Sequence, residues 1–421
     1  MEQQELIPHL FRTEYRKIVS VLCKHFGLDQ IEMAEDIASD TFLTAAQIWG
    51  FKGLPQNPVA WLYNVAKNKA KNQLQRNNVF GNKVIPELKI NTSTQPATEI
   101  DLSLQNINDS QLQMMFAICH PFIPAEAQIG LALRILCGFG IEEIADAFLS
   151  NKETINKRLF RAKEKLRLEK VQIEFPGKTE INKRLETVLT TLYLLFNEGY
   201  YSESHDIVLR EDLCLEAMRL TYLLIENEQT NQPSVNALLS LMCFHASRFE
   251  ARKKNNGEIV LYQDQDETLW NQELITKGAY FLHRASQGNT ISKYHIEASI
   301  AYWHTQKTDT AEKWENILQL YNRLLQLEYS PIAALNRTYA LSKANVLHGK
   351  TEAITEAEKL KLTDNYLYHS LLGELYTDID NAKAISHLQT AISLAKTPAD
   401  KNILTKKIVV CQQKANPGSM Q

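Results

Sequence analysis

Residues 141–166 read IEEIADAFLSNKETINKRLFRAKEKL. Ile144, Ala145 and Phe148 recur at the spacing of one helical face. Ser150, Asn151 and Lys152 follow as a short polar turn. Ile155, Leu159, Ala162 and Leu166 then make the apolar face of a second helix. The small Ala145 lets the two helices cross closely, as a helix-turn-helix requires. From Lys152 to Lys170 there are eight basic residues (Lys152, Lys157, Arg158, Arg161, Lys163, Lys165, Arg167, Lys170) against three acids, Glu153, Glu164 and Glu169, for a net +5. The exposed face is expected to show Asn156, Lys157, Arg161 and Lys163. A helix so equipped suits the major groove, with cations on phosphates and Asn or Arg on base edges. The competing reading is a solvated basic helix in an ordinary bundle.

Working outward, the pattern stays helical. Ile18, Val21 and Leu22, then Ile37, Thr41, Phe42 and Ala45, recur at helical spacing over residues 5–77. Pro55 and Pro58 interrupt it, and Pro58 suits the first turn of a new helix. That helix, PVAWLYNVAKNKAKNQLQRN, sets Trp61, Leu62, Val65, Ala66 and Leu74 toward a core. Asn64, Lys67, Asn68, Lys71, Asn72 and Arg76 line its polar face. Between Trp61 and Lys83 there are five basic residues and no acid, a pattern suited to a single or melting strand. Taken alone, it equally fits a surface helix. In AEDIASDTFLTA, residues 34–45, Glu35, Asp36 and Asp40 flank apolar Ile37 and Phe42. Such a patch suits docking to a basic partner helix, or is merely a solvated face.

Residues 79–107 carry Gly81, Pro86 and Pro96 among Asn, Thr, Ser and Gln without amphipathic period, and read as a linker. The divisions expected are 1–78, the linker 79–107, 108–172 with the helix-turn-helix, and a long helical domain 178–421. Gly257 to Asp266 reads as a loop or short hairpin. Ala334 to Leu341 and Leu371 to Tyr376, the latter running on into Ala382, Ala384, Ile385, Leu388, Ala391 and Leu394, look like two degenerate helical repeats of tetratricopeptide type. The fold class is therefore all-α.

The bulk numbers narrow the function. The 421 residues are 44% hydrophobic and 23% charged, with net charge −3, so only local charge speaks for nucleic acid. Six scattered cysteines without a CxxC pair fit reduced thiols of a cytoplasmic protein. Neither a signal core nor an 18-residue apolar run appears, so no membrane span is expected. HExxH, GxSxG, Walker and dinucleotide patterns are missing, and His245, His283, His295 and His304 lack ligand spacing. No metal, cofactor or catalytic residue is expected. The polar residues Asn197, Glu198, Tyr200, Arg248, Asp264 and Asp266 could line a pocket or simply cap helix ends.

Together the three stretches resemble, in order, the sigma-70 family of RNA polymerase sigma factors, extracytoplasmic-function subfamily. AEDIASDTFLTA is similar to the segment that grips the polymerase clamp, PVAWLYNVAKNKAKNQLQRN to the helix that recognises and melts the promoter element just upstream of the start, and GIEEIADAFLSNKETINKRLFRAKEKL to the helix-turn-helix that reads the more distant element. FNEGYYSES, DLCLEAMRL, IVLYQDQDETLW and SPIAALNRTYAL resemble the C-terminal extension of one sigma group with tetratricopeptide-like repeats. The resemblance implies transcription initiation with core RNA polymerase (clamp and flap regions) and promoter DNA as partners. It implies polymerase contacts at Glu35, Asp36, Asp40 and Phe42. DNA contacts fall at Trp61, Asn64, Lys67, Asn68, Lys71 and Arg76, and at Asn151, Lys152, Thr154, Asn156, Lys157, Arg158 and Arg161. Asn72 and Arg76-Asn77 stand where members of the family often carry Asp and Arg-Arg, which bears on the promoter sequence read. The long helical domain would regulate, through a ligand or a protein partner. A helix-turn-helix repressor with a sensor domain is the rival, distinguished by binding promoter DNA without polymerase.

Overall fold

A computed structural model describes residues 3–84, 100–148, 150–200, 210–252, 260, 262–344, 349–395 and 398–415. The described residues are helical with short turns and hold no strand, so the all-α expectation holds. The chain divides into two compact units, 1–195 and 196–421.

The N-terminal unit opens with α1 (Gln3–Phe26), α2 (Ile31–Lys52) and α3 (Pro58–Val84). Gly27 (φ 88°) and Gly53 (φ 77°) end the first two helices in the left-handed region, where a side chain would be strained. Tyr15, Ile18, Val19, Leu22 and Cys23 of α1 are buried against Ile31, Ala34, Ala38, Phe42, Ala45 and Trp49 of α2 and Leu62, Ala66 and Ala70 of α3. Each large side chain removed from water there contributes about 1.5–3 kcal/mol. Helix α3 runs on to Val84, so residues 79–84, expected in the linker, are helical. Ser103 caps α4 (Leu104–Ile118) by accepting from the Asn106 amide, so the helix begins earlier than the expected linker end. Residues 85–99 of that linker lie outside the described residues.

Next come α5 (Ala125–Leu131), extended by a π-helical turn Ala132–Leu136, then α6 (Ile141–Ala147), α7 (Lys152–Leu168) and α8 (Ile181–Tyr200). Helix α4 packs on α1, and the π turn lies against both. Thr191 Oγ1 donates to buried Gln128 (2.7 Å), and Arg184 reaches the Phe116 carbonyl. These bonds tie Arg184 and Thr191 of α8 to the N-terminal unit, which runs to Leu195.

The C-terminal unit holds α9 (Glu211–Glu226), α10 (Pro233–Ala246), α11 (Gln272–Ala285), α12 (Lys293–Trp303), α13 (Ala311–Leu327), α14 (Pro331–Ala344), α15 (Gly349–Leu360), α16 (Tyr366–Tyr376), α17 (Asn381–Leu394) and α18 (Pro398–Ala415). Helix α10 is buried nearly all round and is covered by α9, α11 and α12. From α13 onward, consecutive helices pack on one another in sequence order. Close approach needs small residues. A Cβ on Gly373 of α16 would stand 2.6 Å from Leu388 Cγ of α17, and one on Gly278 2.6 Å from Phe244 Cε1. Of the loop expected at 257–266, residues 257–259 and 261 lie outside the described residues, and Tyr262–Asp264 is a 3-10 turn. All six cysteines are free and buried. No described helix is long and apolar enough to cross a membrane.

Candidate nucleic-acid interface

Helix α3 is positioned from beneath. Leu62, Ala66 and Ala70 anchor it, and half-buried Trp61 meets buried Trp49 edge to face at 5.3 Å. Tyr63 donates to Glu14 Oε2 (2.6 Å), while Lys17 takes the other oxygen (2.8 Å). Burial first, and then Glu14, push the Tyr63 phenol well above its ordinary range. With its inner side held, the helix presents Asn64, Asn68, Lys71 and Arg76 to solvent, with Lys67 half-buried beside them. Asn64, Asn68 and Lys71 follow one another at four and three residues, so they share one stripe. At the α2–α3 connection, Phe51 (94% exposed) and Leu54 (41%) stand in solvent. Sequence reasoning missed this apolar pair; its signal is two large apolar residues between Gly50 and Pro55, outside any helical period.

Helices α6 and α7 join through the expected turn. Ile144, Ala145 and Ala147 pack inward, as do Ile155, Leu159, Ala162 and Leu166. Asn151 Oδ1 accepts from the Thr154 amide (2.8 Å), so this candidate DNA contact also caps α7. Lys152 pairs with Glu142, Lys157 with Glu153 (2.6 Å), and half-buried Arg158 with Glu126 (3.1 Å). Thr154, Asn156 and Arg161 are exposed, and Arg161 has no ion-pair partner among the described residues. Lys163, expected on the outer face, turns inward instead.

That inward turn corrects part of the acidic patch. Asp36 and Asp40 are exposed, and Asp40 pairs with Lys69 (3.2 Å). Glu35 is not a free docking group. Its carboxylate accepts from Arg134 Nε (2.8 Å) and Lys163 Nζ (2.8 Å), with only 11% of its side chain exposed. Glu32 beside it pairs with Arg167 and, at 3.6 Å, with Lys163. Phe42 is not a surface contact either: it is 4% exposed and meets Phe11 at 5.1 Å. The reason is periodicity. Ile31, Glu35, Ala38, Phe42, Ala45 and Trp49 alternate four and three residues apart, a single core-facing stripe, while Asp36 and Asp40 lie beside it. The cluster also raises its buried neighbours. Burial, then Glu35, lift the Cys23 thiol, and Tyr15 is pushed up to about 12, mainly by burial.

Of the polar residues expected to gather around a pocket, Arg248 is buried, Asp264 is exposed, and Asp266 caps a 3-10 turn by accepting from Thr268. Among the described residues no group of three or more His, Cys, Asp or Glu gathers to hold a metal ion.

Residues 10–79, covering α1 to α3, match the family model for sigma-70 region 2. Residues 184–286 match a family of unknown function (DUF6596). Uncharacterized protein R00370 of Rhizobium meliloti is 31% identical over 376 residues, 88% of each chain. RNA polymerase sigma-H factor of Pseudomonas aeruginosa is 29% identical over 180 residues, 39% of this chain and 91% of that one. No solved structure matches.

Proposed function

We propose that the chain is a sigma-70 family member acting in transcription initiation, an alternative sigma factor of the extracytoplasmic-function type with a regulatory C-terminal domain; the match of residues 10–79 to sigma-70 region 2 and the similarity to a sigma-H factor support this reading. The observation that carries this reading is the pairing, in one unit, of two outward cationic helix faces, on α3 and α7, each held from within by an apolar stripe. Trp61, Asn64, Lys67, Asn68, Lys71 and Arg76 would hold a separated promoter strand, amides meeting bases and cations meeting phosphates. Asn151, Lys152, Thr154, Asn156, Lys157, Arg158 and Arg161 would enter the major groove of the upstream duplex, α6 and α7 acting as a helix-turn-helix. Asp36 and Asp40 offer exposed carboxylates to the polymerase clamp. Glu35 would join them only after its bonds to Arg134 and Lys163 open.

No bond making by this chain is needed. It supplies position and strand-separation free energy, each good base contact adding about 1–3 kcal/mol. The helical C-terminal unit would bias that activity in response to a ligand or a protein partner. The deciding experiment is run-off transcription with purified core polymerase on the genes flanking its own. Specific transcripts are expected with the full chain and are expected to fall with Asn68→Ala and Arg161→Ala. Tight promoter binding by the chain without polymerase, and no transcripts with it, would instead establish an ordinary repressor.

A further inference from the structure

In the C-terminal unit, two cations are buried together without a carboxylate. Arg248, just past α10, is 7% exposed, and Lys313, in the first turn of α13, is 1% exposed. Neither makes an ion pair with an Asp or Glu among the described residues, and Asp309 acts on Lys313 only at longer range. Both lie over one ring: the Arg248 guanidinium carbon is 5.5 Å, and Lys313 Nζ 5.3 Å, from the centroid of Tyr262. Lys313 donates to the Gln306 carbonyl (2.5 Å) and to the Tyr262 hydroxyl (3.0 Å). Arg248 Nη2 approaches His245 Nδ1 at 3.4 Å, but its Nε–H, though buried, meets no acceptor. Trp270 Nε1, His304 Nδ1 and Gln265 Oε1 are likewise buried and unpartnered. Two of these side chains, Trp270 and His304, flank the Tyr262 ring. The Trp270 and His304 rings lie 6.2 and 5.1 Å from Tyr262, and Lys307 reaches the Gln265 carbonyl.

Elementary electrostatics makes this arrangement costly as it stands. A buried cation loses its hydration, and a second one nearby repels it. Lys313 responds accordingly: burial holds its pKa below the usual lysine range, Asp309 partly offsets this, and Arg248 adds to it. Folded proteins keep such groups unpaired mainly where something else supplies the opposite charge. Two of the stranded atoms, Arg248 Nε and Trp270 Nε1, are donors that an oxyanion would satisfy.

We propose that Arg248 and Lys313 form a binding site for a small oxyanion ligand, a carboxylate or a phosphate ester, seated beside the Tyr262 ring. The Arg248 fork takes two oxygens, Lys313 supplies a point charge, and the Trp270 indole N–H serves as a neutral donor. The site deepens the regulatory reading above, in which the C-terminal unit answers to a ligand, and names the chemistry of that ligand.

The test is thermal unfolding of the full chain, without polymerase or DNA, in inorganic phosphate, succinate or chloride at matched ionic strength. A ligand that binds only the folded chain raises the melting temperature saturably. Phosphate or succinate is expected to do so where chloride does not, and the larger rise assigns the ligand class. Arg248→Met and Lys313→Met are each expected to abolish the rise. Should Arg248→Met not fold, Arg248→Lys keeps the charge without the fork, and its titration midpoint should move up about tenfold. No rise with either anion, or an equal rise in wild type and variants, overturns the site. Because transcription is measured separately, such a failure leaves the sigma role standing, and loss of that role leaves the site standing.

Discussion

Glu32 and Glu35 in the N-terminal unit share Arg134, Lys163 and Arg167, whereas Arg248 and Lys313 in the C-terminal unit share a tyrosine ring. Both clusters take cations out of water, but only the first gives them carboxylates. An ion pair of the first kind adds little net stability over apolar packing, yet it specifies which surfaces meet, because a mismatch strands a charge. Its cations all meet a carboxylate, although Arg167 Nε is left without an acceptor. The second kind is incomplete, and its energy depends on what enters from solution. Buried charge therefore carries opposite meanings in the two units: in one it fixes a packing arrangement, in the other it leaves a demand for a ligand.

The widest separation between the clusters should come from deleting the shared carboxylate. Glu35→Ala strands Arg134 and leaves Lys163 only its 3.6 Å contact with Glu32, and should cost the N-terminal unit about 3–5 kcal/mol in urea unfolding. Its exposed neighbour should behave otherwise: Asp36→Ala should change stability by no more than about 0.5 kcal/mol. Equal effects would show that Glu35 is as solvated as Asp36.

Acid should act on the C-terminal cluster next. Burial first, then Arg248 and Lys313, depress His304 to about 3, and His245 is lowered well below its ordinary value by burial and its arginine neighbours. Below about 6.5 the unfolded chain takes up protons that these folded imidazoles refuse. Stability of this unit should be full above that pH and fall as pH drops from 6.5 toward 3, followed by denaturant midpoint against pH. A bound oxyanion should narrow the fall, since it offsets the cations that help hold His304 neutral.

On the proposed DNA face of α7, Arg161→Ala should weaken promoter binding by the polymerase complex by about 1–3 kcal/mol if it contacts a base. If it contacts only phosphate, the loss should be uniform across sequences with a shallower salt dependence, by filter binding at several salt concentrations. The smallest effect is expected from Lys313→Met without added anion: neutral or slightly stabilising, roughly 1 kcal/mol or less, the reverse of Glu35→Ala.

Much of this was legible along the chain. The α6–turn–α7 pattern, the polar stripe of α3 and the Pro58 start all rest on contacts within a few residues, which period and capping report directly. The burial of Glu35 and Phe42 was also legible, because both sit on the stripe from Ile31 to Trp49 whose apolar members mark the core side. Helix α3 runs to Val84, past the expected linker start, although Gly81 has low helix propensity.

By itself the sequence determined the helical class, the order of its elements and the two cationic faces, because each follows from spacing within one helix. Only the tertiary structure decided which charges are spent inside. Glu35 meets Arg134 and Lys163 across 99 and 128 residues, and Arg248 and Lys313 come together around Tyr262 from separate elements. The physical reason is that burial and electrostatic partnership depend on distance in space. A helix period fixes which way a side chain points, and not what waits opposite it.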